Sequence, residues 1–171
     1  MTTQIQLSRF PSPVGPLSLA TVGDQLVHLD FEDNEDRMRT LQRRRLPRAQ
    51  WREQPGSAPK AITEWLEAYF DGVFQPLPHD HIQLAGTDFQ QLVWQGLAGI
   101  PVGEHRSYSA LAQALGNPRA VRAVARANAL NPVAILIPCH RVIGANGTLT
   151  GYAGGLERKA WLLKHESANH Q

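Results

Sequence analysis

The chain has 171 residues, a formal net charge of +2, an apolar share of 42% and one cysteine. That length suits one domain or two small ones, and that apolar share supports a packed core rather than a disordered chain. One thiol can neither close an internal disulfide nor build a multi-thiolate zinc site alone, and no apolar run approaches the ~18 residues of a membrane span.

The first third reads as strands. IQLSRF, PLSLAT and QLVHLDF alternate or nearly alternate, and PSPVG and VGD separate them as turns, which predicts an antiparallel meander. DNEDRMRTLQRRRL follows as a polar helix with Asn34 or Asp33 as its cap. Its RRR at 43–45 reads as a solvated helix end, where cations suit the helix dipole. SAPKAITEWLEAYFDG is a clearer helix, with Ile62, Leu66, Tyr69 and Phe70 on one stripe and Gly72 as its stop.

Residues 75–87, QPLPHDHIQLAGT, are rich in proline and polar residues and lack helical period. The boundary is placed there, giving an N-terminal domain over 1–80, a linker over 81–87 and a C-terminal domain over 88–171. The second half reads mostly helical. Thr87 and Asp88 open a helix with Phe89, Leu92, Val93 and Leu97 as its core stripe. Ser109 is expected to cap a short helix to Leu115, and GNP to turn the chain into a second helix from Arg119 to Asn131. Two short helices joined by a glycine-containing turn have the outline of a helix-turn-helix, which any helical hairpin can mimic. VAILI reads as a short buried strand. LERKAWLLKHE reads as a final helix packed through Leu156, Trp161 and Leu162.

Charge is distributed unevenly. Residues 104–126 carry Arg106, Arg119, Arg122 and Arg126 against Glu104 alone, which suits either a nucleic-acid contact or a solvated helix face. In the second helix Arg119, Arg122 and Arg126 would share one face, beside a stripe of Ala120, Ala123 and Ala127. Small residues let a helix backbone approach a narrow surface such as a minor groove, or another helix.

Cys139 ends the apolar run. A buried cysteine by itself is usually a small core residue. Here Pro138 places it at a turn, and His140 and Arg141, directly after it, both favour a thiolate. The following NGTLTGYAGG is glycine-rich and able to bring backbone amides close to a ligand. In an extended segment His140 would point away from the sulfur, so a bridging water would connect them, and a carboxylate such as Glu166 could orient the base. A nucleophilic cysteine could serve disulfide exchange, acyl transfer or alkyl transfer. The first lacks a resolving thiol, and the last would consume the enzyme, because a thioether is not readily hydrolysed.

At IPCHRVIG, followed by TGYAGGLERKAWLLKHE, the chain resembles the O6-alkylguanine-DNA alkyltransferase family. The match extends over roughly residues 86–166 and more loosely through SPVGPLSLA and LEAYFDG. The resemblance implies an α+β two-domain fold: an N-terminal RNase H-like domain of antiparallel sheet and helices, and a mostly helical C-terminal domain with a helix-turn-helix. It implies irreversible, single-turnover transfer of an alkyl group from guanine O6, and from thymine O4, in duplex DNA after nucleotide flipping through the minor groove. Cys139 would be the acceptor, His140 the water-mediated base, Glu166 its orienting group and Asn131 the brace of the preceding turn. Tyr108 would crowd a phosphate and reach the base. Arg122 would fill the vacated stack, with Arg119, Arg126, Ala123 and Ala127 completing the DNA-binding set. Val142, Tyr152, Ala153 and Gly154 would line the base pocket. Ala153 stands where serine is frequent in that family, and Asn128 and Arg126 are more polar than many counterparts.

No metal and no cofactor are expected, since the histidines form no HxxxH pair and the thiols for a zinc site are lacking. The expected partner is double-stranded DNA bearing O6-alkylguanine, with no membrane contact. The protein is expected to be cytoplasmic, and monomeric in solution with a capacity to cluster on DNA. The competing readings are a non-catalytic helix-turn-helix module with a structural Cys139, and a cysteine hydrolase of small acyl substrates.

Overall fold

The computed structural model describes residues 2–170. The chain divides into two units, Met1–Ala85 and Gly86–Gln171.

The first unit is a four-stranded sheet of order β3-β2-β1-β4, covered by two helices. The expected meander forms as β1 (Gln4–Phe10), β2 (Leu17–Val22) and β3 (Gln25–Phe31), each antiparallel to the next. Sequence reading missed β4 (Gln50–Glu53), which pairs parallel to β1 with Ile5 opposite Trp51 and Leu7 opposite Glu53. Four residues rich in polar groups carry no alternation strong enough to announce an edge strand.

Helix α1 (Glu35–Arg45) lies on the face that carries Ile5, Leu7 and Ala20, burying Met38 among them. Asn34 sits at its N-cap position, but its side chain makes no cap bond and instead donates through Nδ2 to Asp30 Oδ1. Buried Asp30 also accepts from Arg37 at 2.7 Å, and the Gln42 amide meets His28 Nδ1 at 2.9 Å, so the polar groups of this face are held by α1. Helix α2 (Lys60–Phe70) buries Ile62, Trp65, Leu66 and Tyr69, and Phe70 stacks on Phe10 of β1. Gly72 ends it at φ 82°, a left-handed conformation costly for any residue with a Cβ.

The second unit is helical. Helix α3 (Asp88–Ala98) starts with a capping box in which Thr87 and Gln90 satisfy each other's backbone amides. Its buried stripe is Val93, Trp94 and Leu97, whereas Leu92, expected in the core, is 43% exposed. A two-residue strand β5 (Arg106–Ser107) leads into α4 (Tyr108–Ala114). The cap of α4 is Ser107 rather than Ser109; its Oγ accepts from the Ala110 amide at 3.0 Å. Gly116 at φ 78° and the Asn117 amide bonded to the Ala112 carbonyl turn the chain out of α4. Helix α5 is Val121–Ala129, so Arg119 lies in the turn before it, not on the helix.

Residues 133–137 form no strand. Two polar bonds from Asn131 fold them into a tight turn, with Ile135 at φ 71°. A β-branched residue in the left-handed region costs about 1–3 kcal/mol and persists only where its surroundings over-determine it. After one turn of 3-10 helix, Cys139–Arg141, comes strand β6 (Val142–Ile143), then α6 (Leu156–Asn169). Leu156, expected to pack, is 48% exposed; the buried positions of α6 are Lys159, Leu162 and Glu166. Spaced i, i+3 and i+7, those three share one stripe, two of them ionisable.

Candidate active site

The site is built on the Cys139–Arg141 turn. Pro138 ends the preceding turn, and the Cys139 amide donates to the Ile137 carbonyl at 2.8 Å. Asn131 donates through Nδ2 to that same carbonyl at 2.7 Å and accepts the Val133 amide at 3.0 Å. Its one side chain therefore ties both ends of the loop that precedes the thiol. Cys139 keeps 8% of its surface exposed.

His140 is fully buried and its Nε2 lies 2.6 Å from Glu166 Oε2. Burial pushes the imidazole below its ordinary value, outweighing the raising effect of Glu166. A neutral ring donating Nε2–H to Glu166 carries its lone pair on Nδ1. That nitrogen is buried and has no protein partner among the described residues. An unprotonated ring nitrogen one residue from a thiol is what a general base requires.

Burial also pushes Glu166 up, but His140 and Arg141 outweigh it and hold its carboxyl down to about 2. Arg141 donates to it through Nε at 2.8 Å and Nη2 at 3.0 Å, and through Nη1 to the Ile100 carbonyl at 2.6 Å. A bidentate arginine fixes both the charge and the plane of the carboxylate. The turn that carries Cys139 is thus fastened to α6 through Glu166 and to the end of α3 through Ile100.

Lys159 was not anticipated. It is fully buried, and its Nζ donates to the Val142 carbonyl at 2.6 Å and the Thr150 carbonyl at 2.7 Å. Burial pushes it below its ordinary value, and charge on Cys139 pulls the other way. An ammonium close enough to feel that sulfur favours the thiolate. The available signal was a lysine three and seven residues from Leu162 and Glu166 on a helix whose buried side they define. Arg141 was read only as a local cation; its partner, 25 residues away, was not legible.

Strand β5 pairs parallel with β6, Arg106 opposite Val142 and Ser107 opposite Ile143. This fastens Tyr108, the first residue of α4 and half-buried, beside the segment that follows Cys139. Val142 is fully buried and backs the site, while Tyr152 and Gly154 are half-buried and Ala153 exposed. On α5, Arg122, Ala123 and Arg126 are exposed, as is Arg119 in the turn before it. Ala127 does not belong to that face. It is 2% exposed and turned to the core, where its carbonyl accepts from Trp94 Nε1 at 2.9 Å. Asn128 is buried too, so the outer surface of α5 is less polar than its sequence suggests.

These features define a class: a lone cysteine beside a buried histidine–carboxylate–arginine cluster, carried by the same unit as a helix-turn-helix whose second helix exposes arginines. Residues 7–78 match the model of the 6-O-methylguanine DNA methyltransferase ribonuclease-like domain, and residues 88–168 that of its DNA-binding domain. The chain is 47% identical over 160 residues to a methylated-DNA–protein-cysteine methyltransferase of Methanosarcina barkeri, covering 92% of this chain and 94% of that one. It is 46% identical over 158 residues to its namesake from Mycobacterium tuberculosis, covering 92% and 89%. The crystal structure of Mycobacterium tuberculosis OGT in complex with DNA matches with a TM-score of 0.83 at 43% identity, covering 96% of this chain and 94% of that one. The chain belongs to the methylated-DNA–protein-cysteine methyltransferase family, with the α+β two-domain fold of an N-terminal ribonuclease-like domain and a C-terminal DNA-binding domain.

Proposed function

We propose that this protein repairs duplex DNA by moving an alkyl group from guanine O6, and by the same chemistry from thymine O4, onto Cys139 once and irreversibly. The observation that carries this reading is the buried His140–Glu166–Arg141 relay one residue from the sole thiol. His140 Nδ1 takes the thiol proton through a bridging water. The Cys139 sulfur, its negative charge favoured by Lys159, attacks the alkyl carbon. The carbon–O6 bond breaks and its electron pair stays on the purine. The Tyr108 hydroxyl donates a proton to the purine, the proton taken up by His140 balances it through solvent, and the nucleotide remains in the DNA as ordinary guanine. The protein keeps a thioether that water does not cleave.

An O6 adduct is shielded inside the duplex, so the nucleotide must swing out at a cost of a few kcal/mol. Arg122, exposed near the start of α5, is the residue proposed to fill the gap, and Ala123 beside it leaves room for the helix to approach the minor groove. Arg119 and Arg126 would hold flanking phosphates. Val142 backs the base pocket, and the Tyr152–Gly154 segment forms its rim and offers backbone amides.

The test is an intact mass after incubation with an oligonucleotide bearing O6-methylguanine. One gain of about 14 Da on Cys139, with repaired DNA in equal amount, is expected of a single transfer to a thiolate. Repeated turnover, or no adduct, would sink the reading. Cys139→Ala should bind DNA and repair nothing. Arg122→Ala should slow transfer in duplex more than in single strands, where no stack needs filling; equal losses would remove its gap-filling role.

A further inference from the structure

Seven of the chain's 17 basic residues fall between positions 37 and 52: Arg37, Arg39, Arg43, Arg44, Arg45, Arg48 and Arg52, with no acid in that interval. All seven lie in the first unit and outside the machinery described above. The helix dipole accounts for cations in the last turn of α1, but not for Arg48 beyond it. Local pairing accounts for two: Arg37 is bonded to Asp30, and Arg39 lies 4.6 Å over the Trp51 ring and 3.7 Å from Glu35. Arg52 alternates with Trp51 on β4, so it belongs to the opposite face of the sheet. Arg43, Arg44 and Arg48 are exposed, and among the described residues none of the three has an ion pair or hydrogen bond through its side chain.

Beside them is a cleft of about 180 Å³ lined by Thr3, Arg45, Leu46, Pro47, Arg48 and Ala49. It adjoins a second cavity of about 240 Å³ that shares Thr3, Arg45 and Leu46. Two guanidinium-bearing side chains and a hydroxyl around an open recess with room for a phosphate group, flanked by the exposed Arg43 and Arg44, form an anion surface. Every cation here is arginine, whose planar fork matches two phosphate oxygens at once.

We infer that the surface formed by Arg43, Arg44, Arg45 and Arg48 is a second nucleic-acid contact, a sequence-independent seat for the sugar–phosphate backbone on the N-terminal unit. It extends the proposed function, in that the polyanion is taken to be DNA. Its arginines are taken to meet phosphates rather than base edges, so it adds affinity and salt dependence rather than specificity.

The test compares the full-length protein with Arg43→Gln/Arg44→Gln/Arg48→Gln, titrating an undamaged 40-base-pair duplex across a salt series. Each phosphate contact contributes about 0.9 to the slope of log affinity against log salt, so the variant should lose about 2–3 in slope and about tenfold or more in affinity at low salt. The corresponding triple lysine variant, which keeps the charge, should retain the slope. Melting temperature and the completed single alkyl transfer at saturating DNA should match wild type in both. An unchanged slope in the glutamine variant would overturn the inference. So would unchanged DNA binding together with lost binding to phosphatidylglycerol vesicles, which would assign the surface to a membrane. Absence of the alkyl adduct in every form would instead overturn the repair reading and leave this surface standing.

Discussion

Glu166→Gln is the sharpest perturbation of the relay, because it changes charge without changing shape. The carboxylate accepts three bonds, from His140 Nε2 at 2.6 Å, Arg141 Nε at 2.8 Å and Arg141 Nη2 at 3.0 Å. A glutamine amide has one oxygen, and its NH2 group would face an N–H of either Arg141 or His140, donor against donor. Arg141, with 8% of its side chain exposed, would be left as a buried cation without its counter-charge. Breaking a buried pair in this way costs about 3–5 kcal/mol. The shift of the carboxyl from 4.5 to about 2 gives a similar figure, roughly 3 kcal/mol at ~1.4 kcal/mol per unit. Losing the base's orienting group should slow transfer by about 10²–10⁴-fold. Urea unfolding gives the first quantity, and single-turnover transfer from an O6-methylguanine duplex, sampled by rapid quench, gives the second. The variant should also lack the acid-dependent destabilisation that Glu166 is expected to give wild type between pH 4.5 and about 2. A variant that unfolds within about 1 kcal/mol of wild type and transfers at the same rate would refute the relay, since both effects come from the same three bonds.

Lys159→Met keeps most of the length of the side chain and removes its charge, so the Cys139 thiol should ionise at higher pH than in wild type. The rate of Cys139 alkylation by iodoacetamide, followed against pH, should shift upward, and an unshifted profile would show that the ammonium does not act on the sulfur. Acid should destabilise both units. His28 and His140 are held below 6.5 chiefly by burial, so the unfolded chain binds more protons once pH falls beneath that value, and stability present above pH 6.5 is lost on the way down. Glu166, and then Asp30, both lowered, extend the loss as pH falls below 4.5 and 3.8 respectively. Calorimetry should therefore show melting temperatures falling from pH 7 to pH 3; a flat profile would mean these histidines are not buried neutral.

The sequence by itself determined the elements whose signals are local. Period-two alternation with turn residues on either side gave β1, β2 and β3, and Thr87 with Asp88 marked the start of α3 within the chain's own covalent neighbourhood. The thiol could also be singled out, because one cysteine between a proline and a histidine is unusual chemistry in any fold. Tertiary structure decided whatever depends on a partner distant in sequence. Leu92 and Leu156 fit their stripes but stay 43% and 48% exposed, while Ala127, on the alanine stripe of α5, was taken inward by Trp94. The VAILI segment has the composition of a strand, yet two bonds from Asn131 fold it into a turn, because satisfying buried backbone groups outweighs local β preference. Most of all, Glu166 becomes part of a site only because α6 returns to the Cys139–Arg141 turn. There Arg141 and His140 repay the cost of burying its charge, a balance set by distances that no spacing along the chain encodes.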